Sequence, residues 1–168
     1  MSVGRDVSRA AGLLLFGAAA AWLSGCGSPC GPSEGVVSHV IDGDTVELES
    51  GERLRYLLVD TPEITGGKNE CFGAQAAAFN RGLVEGRKIS ISYGEVCTDR
   101  YERALVYVKV DGQDVNRELV RQGYGCVLHL PPGGDARVDE FLEVQEEARN
   151  EGSGLWATCS ARPAACPG

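Results

Sequence analysis

The chain of 168 residues lacks several features that define common functional classes. It has no C-x-x-C pair among its seven cysteines, which argues against a zinc site. Its 16 lysines and arginines are outnumbered by 24 acidic residues. Such a chain is a poor candidate for sequence-independent binding of nucleic acid, which depends on clustered positive charge. Any phosphate binding must therefore rest on local positive charge that opposes the net charge of −8.

The N-terminal region predicts export and a lipid anchor. Its apolar run at 12–22 is too short for a stable membrane span and follows a weakly basic start. The run ends in LSGC at 23–26, which is typical of a bacterial lipobox. We predict a lipoprotein signal peptide at 1–25, lipidation of Cys26, a flexible tether at 26–35, and a location outside the cytoplasm on a bacterial membrane. An ordinary signal peptide with an incidental cysteine is the alternative.

The six cysteines besides Cys26 form an even set in a chain that we expect to be exported. Such a set favours disulfide bonds. The sequence allows many pairings and does not choose among them.

Short strand-like runs separated by turns alternate with helical segments, and no internal repeat is present. Strands are predicted at 36–41, 45–49, 53–59, 88–93, 104–110 and 124–130, and helices at 74–85, 116–122 and 135–150. Asn116 and Asp135 are the expected caps of the last two helices. Arg55 shares a strand face with Leu57 and Val59 and therefore leans inward. The pattern predicts an α+β protein, in which a small closed barrel removes exposed strand edges.

Two acidic stretches, at 42–44 and 60–63, adjoin apolar strands. Asp44 and Asp60 lie sixteen residues apart, which suits two adjacent antiparallel strands that bring both carboxylates together. An EF-hand is excluded, because the residues after Asp44 do not supply the ligand and the glycine that this loop requires. The first stretch taken alone is equally typical of a surface hairpin turn. Together the carboxylates predict an all-oxygen site for a hard cation, calcium or magnesium.

Arg55 and Arg103 are expected close to these carboxylates. Two such arginines are costly to bury, but their planar forks match the oxygens of a phosphate. A metal ion with two arginines suits phosphodiester cleavage, because both neutralise charge on the phosphoryl group. The alternative is a network of salt bridges with no ligand.

Four stretches in this order resemble the staphylococcal nuclease (thermonuclease) family. They are VIDGDT at 40–45, RYLLVDTPE at 55–63, DRYER at 99–103 and VNRELVRQG at 115–123. The resemblance, which runs to GLW at 154–156, implies a nuclease-like domain at 36–158 and a cysteine-containing tail at 159–168. It implies a five-stranded OB-fold barrel with three helices. The implied activity is calcium-dependent cleavage of DNA and RNA to products that end in 3′-phosphate.

The resemblance also implies roles for the acidic residues. Calcium is assigned to the carboxylates of Asp44 and Asp60 and to the backbone carbonyl of Thr61, with Asp42 behind these ligands. Glu63 matches the residue that is assigned as general base, and ordering of the attacking water is its alternative role.

The basic residues are assigned to the phosphates in the same way. Arg55 and Arg103 match two phosphate-binding arginines, and the second also serves the leaving 5′-oxygen. Arg100 and Tyr101 match positions that contact a terminal 3′-phosphate.

Two departures from the family pattern bear on these roles. Glu102 stands where the family usually has glycine, one residue before Arg103, so a carboxylate there either repels substrate or points to solvent. His129 and Pro131 align with two tyrosines that flank the bound base, so affinity or base preference is expected to differ.

The cysteines are placed on the same layout. Pairing of Cys71 with Cys97 would brace the loops on both sides of the site. Cys126 would then pair with Cys159, and Cys30 with Cys166.

Three hypotheses follow for the function. The first is an anchored, monomeric, calcium-dependent nuclease that acts on DNA and RNA. The second is a catalytically silent OB-fold binding module on a lipid anchor, and the third is a salt-bridged structural lipoprotein. The first is favoured because Asp44, Arg55, Asp60, Glu63 and Arg103 are all present.

Overall fold

A computed structural model describes Met1, residues 30–160 and Cys166. The strands are β1 (Glu34–Val40), β2 (Thr45–Leu48), β3 (Arg53–Tyr56), β4 (Lys88–Thr98), β5 (Ala104–Val110) and β6 (Gln113–Asp114). The helices are α1 (Gly73–Val84), α2 (Val115–Arg121), α3 (Val138–Glu151) and α4 (Leu155–Thr158). No helix in this part of the chain is both long and apolar enough to cross a membrane. The predicted lipidation of Cys26 lies outside the described residues.

The first five strands form a closed barrel. The strand order is β3-β2-β1-β4-β5-β6, and β3 also pairs with β5, which joins the two sides of the sheet. The β3–β5 pairing is parallel, with Arg55 opposite Leu105, whereas the other pairings are antiparallel. β6 extends β5 outside this ring. The predicted α+β fold with a five-stranded OB-fold barrel is therefore confirmed, with a short extra strand and a short fourth helix.

The core lies inside the barrel and under the helices. On β5, Val106, Val108 and Val110 are buried and Lys109 is exposed, whereas Tyr107 on the outer face is buried against Phe141 of α3. This alternation follows from the two-residue period of a strand. α1 packs on β1, and α2 packs on both β5 and α3. Burial of these apolar faces is the main stabilising contribution to the fold.

A buried asparagine joins the barrel to α2. The Asn116 side chain is fully buried, accepts a hydrogen bond from Val108 N at 2.9 Å and donates to the carbonyls of Leu57 and Val106. The prediction that Asn116 caps this helix is wrong, since the capping side chain is Asp114, which accepts from Arg117 N at 2.9 Å. Asparagine and aspartate are both good helix caps. Asn116 is used instead to pair with buried backbone groups of the barrel, so Asp114 caps the helix.

Four predicted elements differ from the structure, and the first is β4, which runs to Thr98 rather than ending at residue 93. β3 ends at Tyr56 rather than at residue 59, because the backbone turns at Leu58, where φ is 59°. The predicted strand at 124–130 is wrong, since this segment makes only isolated bridges, such as Asp60 with Cys126. α3 begins at Val138 rather than at Asp135, so the predicted cap is also wrong.

The predicted disulfide pairing is wrong at all three bonds. The structure pairs Cys30 with Cys97, Cys71 with Cys159, and Cys126 with Cys166. Residues 30–33 run beside β4, where Ile91 N donates to the carbonyl of Ser33 at 2.8 Å, and this places Cys30 near Cys97. The start of α1 packs against α4, which brings Cys71 to Cys159. These contacts depend on the tertiary fold and leave no local signal in the sequence.

Candidate active site

Asp44 lies at the centre of the acidic cluster and is almost fully buried. Its Oδ2 accepts hydrogen bonds from the backbone N of Thr61 at 2.7 Å and from the Thr61 hydroxyl at 2.9 Å. Its Oδ1 accepts from the hydroxyl of Thr45 at 3.1 Å. Gly43 permits this close approach, because a Cβ there would lie 2.6 Å from Thr61 Oγ1. The turn before β2 and the segment after β3 are thus joined through one carboxylate.

Arg55 is buried between two carboxylates. Its Nη1 lies 3.2 Å from Asp44 Oδ1, and its Nη2 donates to Asp60 Oδ1 at 2.6 Å. Nη1 also donates to the carbonyls of Tyr56 at 3.0 Å and of Val59. The predicted inward orientation of Arg55 is confirmed, and its guanidinium lies between the two predicted metal-ligating carboxylates.

The positive charge of Arg55 does not balance the carboxylates around it. Burial, reinforced by the neighbouring Asp44 carboxylate, raises the pKa of Asp42 well above its ordinary value. Burial also raises the pKa of Asp60 to about 6, although Arg55 opposes the rise. Burial disfavours the charged forms of both carboxyls, whereas a cation bound beside them would favour those forms.

A buried asparagine that the sequence pattern did not single out supports this cluster from behind. Asn80 in α1 accepts a hydrogen bond from the Tyr56 hydroxyl at 3.1 Å and donates to the carbonyl of Asp42 at 3.3 Å. It is fully buried. A polar residue on the apolar face of a helix is the signal that could have revealed it, because such a group needs a partner.

Glu63 lies in the loop between β3 and α1. Its Oε1 accepts hydrogen bonds from the backbone N and the hydroxyl of Thr65 and from Ile64 N. Partial burial raises the pKa of Glu63, but the bonds from Thr65 outweigh it and hold the pKa below its ordinary value. Oε2 accepts no hydrogen bond from the described residues. Glu63 is therefore an ionised carboxylate at neutral pH with one oxygen available.

Arg103 is held by the loop that precedes β5. Its Nε donates to Asp99 Oδ2 at 2.8 Å, and its Nη2 lies 2.7 Å from the same oxygen. Asp99 Oδ1 accepts from the backbone N of Tyr101 and of Arg103 itself, so one carboxylate organises the whole turn. Nη1 of Arg103 has no partner among the described residues. Arg100 is exposed, with its Cζ 4.8 Å from the centre of the exposed Tyr101 ring.

Glu102 adopts a left-handed backbone conformation, with φ of 62°. Glycine adopts this conformation without strain, which explains why the family pattern has glycine there. The Glu102 side chain is exposed. Its carboxylate therefore faces solvent rather than the cluster around Asp44.

Arg55 and Arg103 line one cavity of about 300 Å³. The other wall of the cavity is apolar and includes Leu128, Leu130 and Pro131. Of the two positions aligned with base-flanking tyrosines, Pro131 lines the cavity. His129 is not among the lining residues, and its Nε2 lies 2.6 Å from Asp135 Oδ1.

The residues that the family resemblance assigns to calcium have suitable chemistry. Two carboxylates and a backbone carbonyl are hard oxygen donors, and calcium fills its remaining positions with water. Asp44 and Asp60 contact the same guanidinium, and Thr61 bonds to Asp44. Within the described part of the chain, however, no group of three or more His, Cys, Asp or Glu side chains could hold a metal ion. Any calcium site here must therefore combine fewer side chains with the main chain and water.

The closed barrel, with an acidic cluster and two arginines beside an open cavity, defines the class of small OB-fold proteins. The profile of the family described as "Staphylococcal nuclease homologue" matches residues 53–158. The chain belongs to the staphylococcal nuclease family.

Several relatives of this chain are named endonucleases. The chain is 33% identical over 128 residues to "Endonuclease YncB" of Bacillus subtilis, a match that covers 72% of this chain and 60% of that protein. It is 32% identical over 139 residues to an "Uncharacterized endonuclease" of Escherichia coli O157:H7, covering 80% of this chain and 84% of that protein. It is 31% identical over 128 residues to "SPbeta prophage-derived endonuclease YokF" of Bacillus subtilis, a match that covers 72% of this chain and 43% of that protein. The match thus spans only 60% of the length of YncB and 43% of the length of YokF.

Proposed function

We propose that the protein is a calcium-dependent phosphodiesterase that cleaves DNA and RNA internally and leaves 3′-phosphate ends. The observation that carries this proposal is the shared cavity of Arg55 and Arg103 beside the carboxylates of Asp44 and Asp60. Relatives named endonucleases support the same class of reaction. We further propose that the protein acts as a monomer outside the cytoplasm and is held on the membrane by a lipid on Cys26.

The reaction requires that water attack the phosphorus while the bond to the 5′-oxygen breaks. Asp44, Asp60 and the Thr61 carbonyl would hold calcium, which supplies positive charge to the phosphoryl oxygens when bound. Nη1 of Arg103 would donate to the phosphate and to the departing 5′-oxygen, because its other nitrogens are committed to Asp99. Arg55 would bind a second phosphate oxygen.

Glu63 is suited to handling the attacking water. Its carboxylate is ionised at neutral pH, since its pKa lies below the ordinary value. Oε1 is fixed by Thr65, which orients Oε2. Oε2 would accept a hydrogen bond from the water and either order it or take its proton. The phosphate then stays on the 3′-oxygen of one product, and the other product ends in a 5′-hydroxyl.

Degradation of plasmid DNA and of RNA by the mature protein, with calcium and with a chelator, tests this proposal. Asp44→Ala and Arg103→Ala should each lower the rate by at least about 100-fold. Arg81→Ala is the matched control, because Arg81 is exposed on α1 and pairs with Glu85 at 3.5 Å. Circular dichroism would verify that each variant is folded. Undiminished cleavage by either site variant would contradict its assigned role.

The anchor requires its own test. Incorporation of a labelled fatty acid should occur in the natural chain and should be lost in Cys26→Ser. The variant should then leave the membrane fraction with its nuclease activity intact. Release of the natural chain without label would contradict the lipid anchor but not the enzyme.

One observation favours a catalytically silent binding module as the second candidate. Both arginines are already paired within the protein, Arg55 with Asp44 and Asp60, and Arg103 with Asp99. Because carboxylates of the same chain already neutralise both arginines, this arrangement favours a site that binds nucleic acid without hydrolysing it. Binding of a nucleoside 3′,5′-bisphosphate with no cleavage of DNA or RNA under any divalent cation would support this candidate.

A further inference from the structure

A second, smaller apolar cluster lies apart from the barrel core. Its buried members are Cys126, Leu155 and Cys166, with Phe72, Trp156 and Cys159 packed around them. Two disulfide bonds, Cys126–Cys166 and Cys71–Cys159, cross it. We call these six residues the tail cluster. Cys159 and Cys166 lie beyond residue 158, where the match to the nuclease family ends.

The tail cluster contacts the acidic site through the backbone of one residue. Asp60 N donates to the Cys126 carbonyl at 2.8 Å, and Cys126 N donates to the Asp60 carbonyl at 2.8 Å. This reciprocal pair is an isolated bridge, because β3 has already ended at Tyr56. Within the described residues, no strand extends it on either side. The backbone of Asp60 is therefore held mainly by Cys126.

The packing at this bridge leaves little free space. A Cβ on Gly125 would lie 3.0 Å from the Asp60 carbonyl oxygen and 3.1 Å from Thr61 Cγ2. Cys126 itself is only 1% exposed. A shift of the segment at 125–126 must therefore move Asp60 and Thr61 as well.

We propose that the C-terminal tail, through the Cys126–Cys166 disulfide, positions Asp60 and Thr61 for cation binding. This inference rests on the proposed calcium-dependent function. Asp60 would supply a carboxylate and Thr61 a backbone carbonyl to the cation. Because these residues are consecutive, the bond between the Asp60 backbone and Cys126 fixes the position of both donors. The disulfide fixes Cys126 to the tail, and Cys71–Cys159 fixes the tail to the start of α1. Cys126 and Cys166 are positioning residues, since neither would touch the cation or the substrate.

The cation affinity of the full mature chain tests the proposal. Cys126→Ala combined with Cys166→Ala should raise the calcium Kd measured by titration calorimetry by about 10–100-fold, the usual effect of removing a group that orients a ligand. Cys30→Ala combined with Cys97→Ala is the matched control, because it also removes one disulfide but leaves the Asp60–Cys126 bridge in place. It should leave the calcium Kd unchanged. Equal changes in the two double variants would overturn the proposal.

Amide hydrogen exchange provides a measurement that does not depend on calcium. In the calcium-free protein, the amides of Asp60 and Cys126 should exchange faster in the Cys126/Cys166 variant and not in the control. Slow exchange at both amides in the variant would overturn the proposal even if calcium binding were weakened. A natural chain that binds no calcium would contradict the proposed function, whereas the exchange result would still decide the positioning role.

Gly125→Ala tests the same contact with every disulfide intact. The added methyl group must displace the Asp60 carbonyl, so the calcium Kd should rise in the same direction. This variant keeps the proposal testable if the double variant does not fold. An unchanged calcium Kd in Gly125→Ala, together with an unfolded double variant, would overturn it.

Discussion

Replacement of Arg55 by methionine should destabilise the calcium-free protein strongly. The Arg55 side chain is 11% exposed and lies between Asp44 and Asp60, whose side chains are 6% and 29% exposed. Removing one partner of a buried ion pair typically costs about 3–5 kcal/mol, because it leaves the other charge without compensation. The loss of hydrogen bonds to two backbone carbonyls acts in the same direction. We expect a decrease of about 4 kcal/mol in the free energy of unfolding.

Urea unfolding of Arg55→Met, Arg55→Lys and Arg53→Met separates the contribution of the charge of Arg55 from that of its several hydrogen bonds. Arg55→Lys keeps the charge but cannot reach both carboxylates and both carbonyls with one ammonium, so its cost should be intermediate. Arg53→Met is the matched control on the same strand. Arg53 is 62% exposed and pairs with Glu47 at 3.3 Å, and such surface pairs contribute about 0–1 kcal/mol.

Acid and calcium should both reduce the cost of losing Arg55. At pH 4 the carboxyl of Asp60 is protonated, since its pKa is about 6, so less negative charge is left without a partner. At neutral pH, calcium should bind Arg55→Met more tightly than the natural chain, because Arg55 no longer pairs with Asp44 and Asp60. A tenfold lower Kd would reduce the cost by about 1.4 kcal/mol at saturating calcium. If Arg55→Met costs no more than Arg53→Met at pH 7, the ion pairs do not stabilise the protein and the reasoning is refuted.

Three further predictions follow from single residues. Glu102→Gly should raise the free energy of unfolding by up to about 1 kcal/mol, because glycine adopts the left-handed conformation without strain. Glu102→Gln, which keeps the strain, should not. Equal thermal stabilities of the two variants would contradict the role of the backbone. Asn116→Ala should cost about 3–5 kcal/mol in urea unfolding, since it leaves Val108 N and the Leu57 carbonyl without their buried partner, whereas the Val106 carbonyl keeps its bond from Leu57 N. A cost below about 1 kcal/mol would show that water replaces the side chain. Asp60 has its pKa raised from 3.8 to about 6 in the folded protein, so its contribution favours folding below pH 4 and is lost as pH rises through 6. Calcium-free Asp60→Asn should therefore gain up to about 3 kcal/mol relative to the natural chain between pH 4 and 7, and a difference that does not vary with pH would contradict this shift.

Much of the site was predictable because its chemistry lies in short motifs. The inward orientation of Arg55 follows from the period of a strand, which is a local property. The partners of Arg55 and Arg103 were harder to predict. Asp99 binds Arg103 from within the same turn, whereas Asp44 and Asp60 approach Arg55 from two different segments of the chain.

The sequence by itself determined where the barrel strands begin and which carboxylates and arginines would be available. Alternating apolar residues, turn residues and charge are local signals, and they suffice for these features. The tertiary structure decided which cysteines pair, because a disulfide depends on the distance between segments far apart in the chain. It also decided that Asn116 enters the barrel rather than capping α2, and that Cys126 forms an isolated bridge with Asp60 instead of lying within a strand at 124–130. In each case several local partners were chemically equivalent, and only packing in three dimensions selected one.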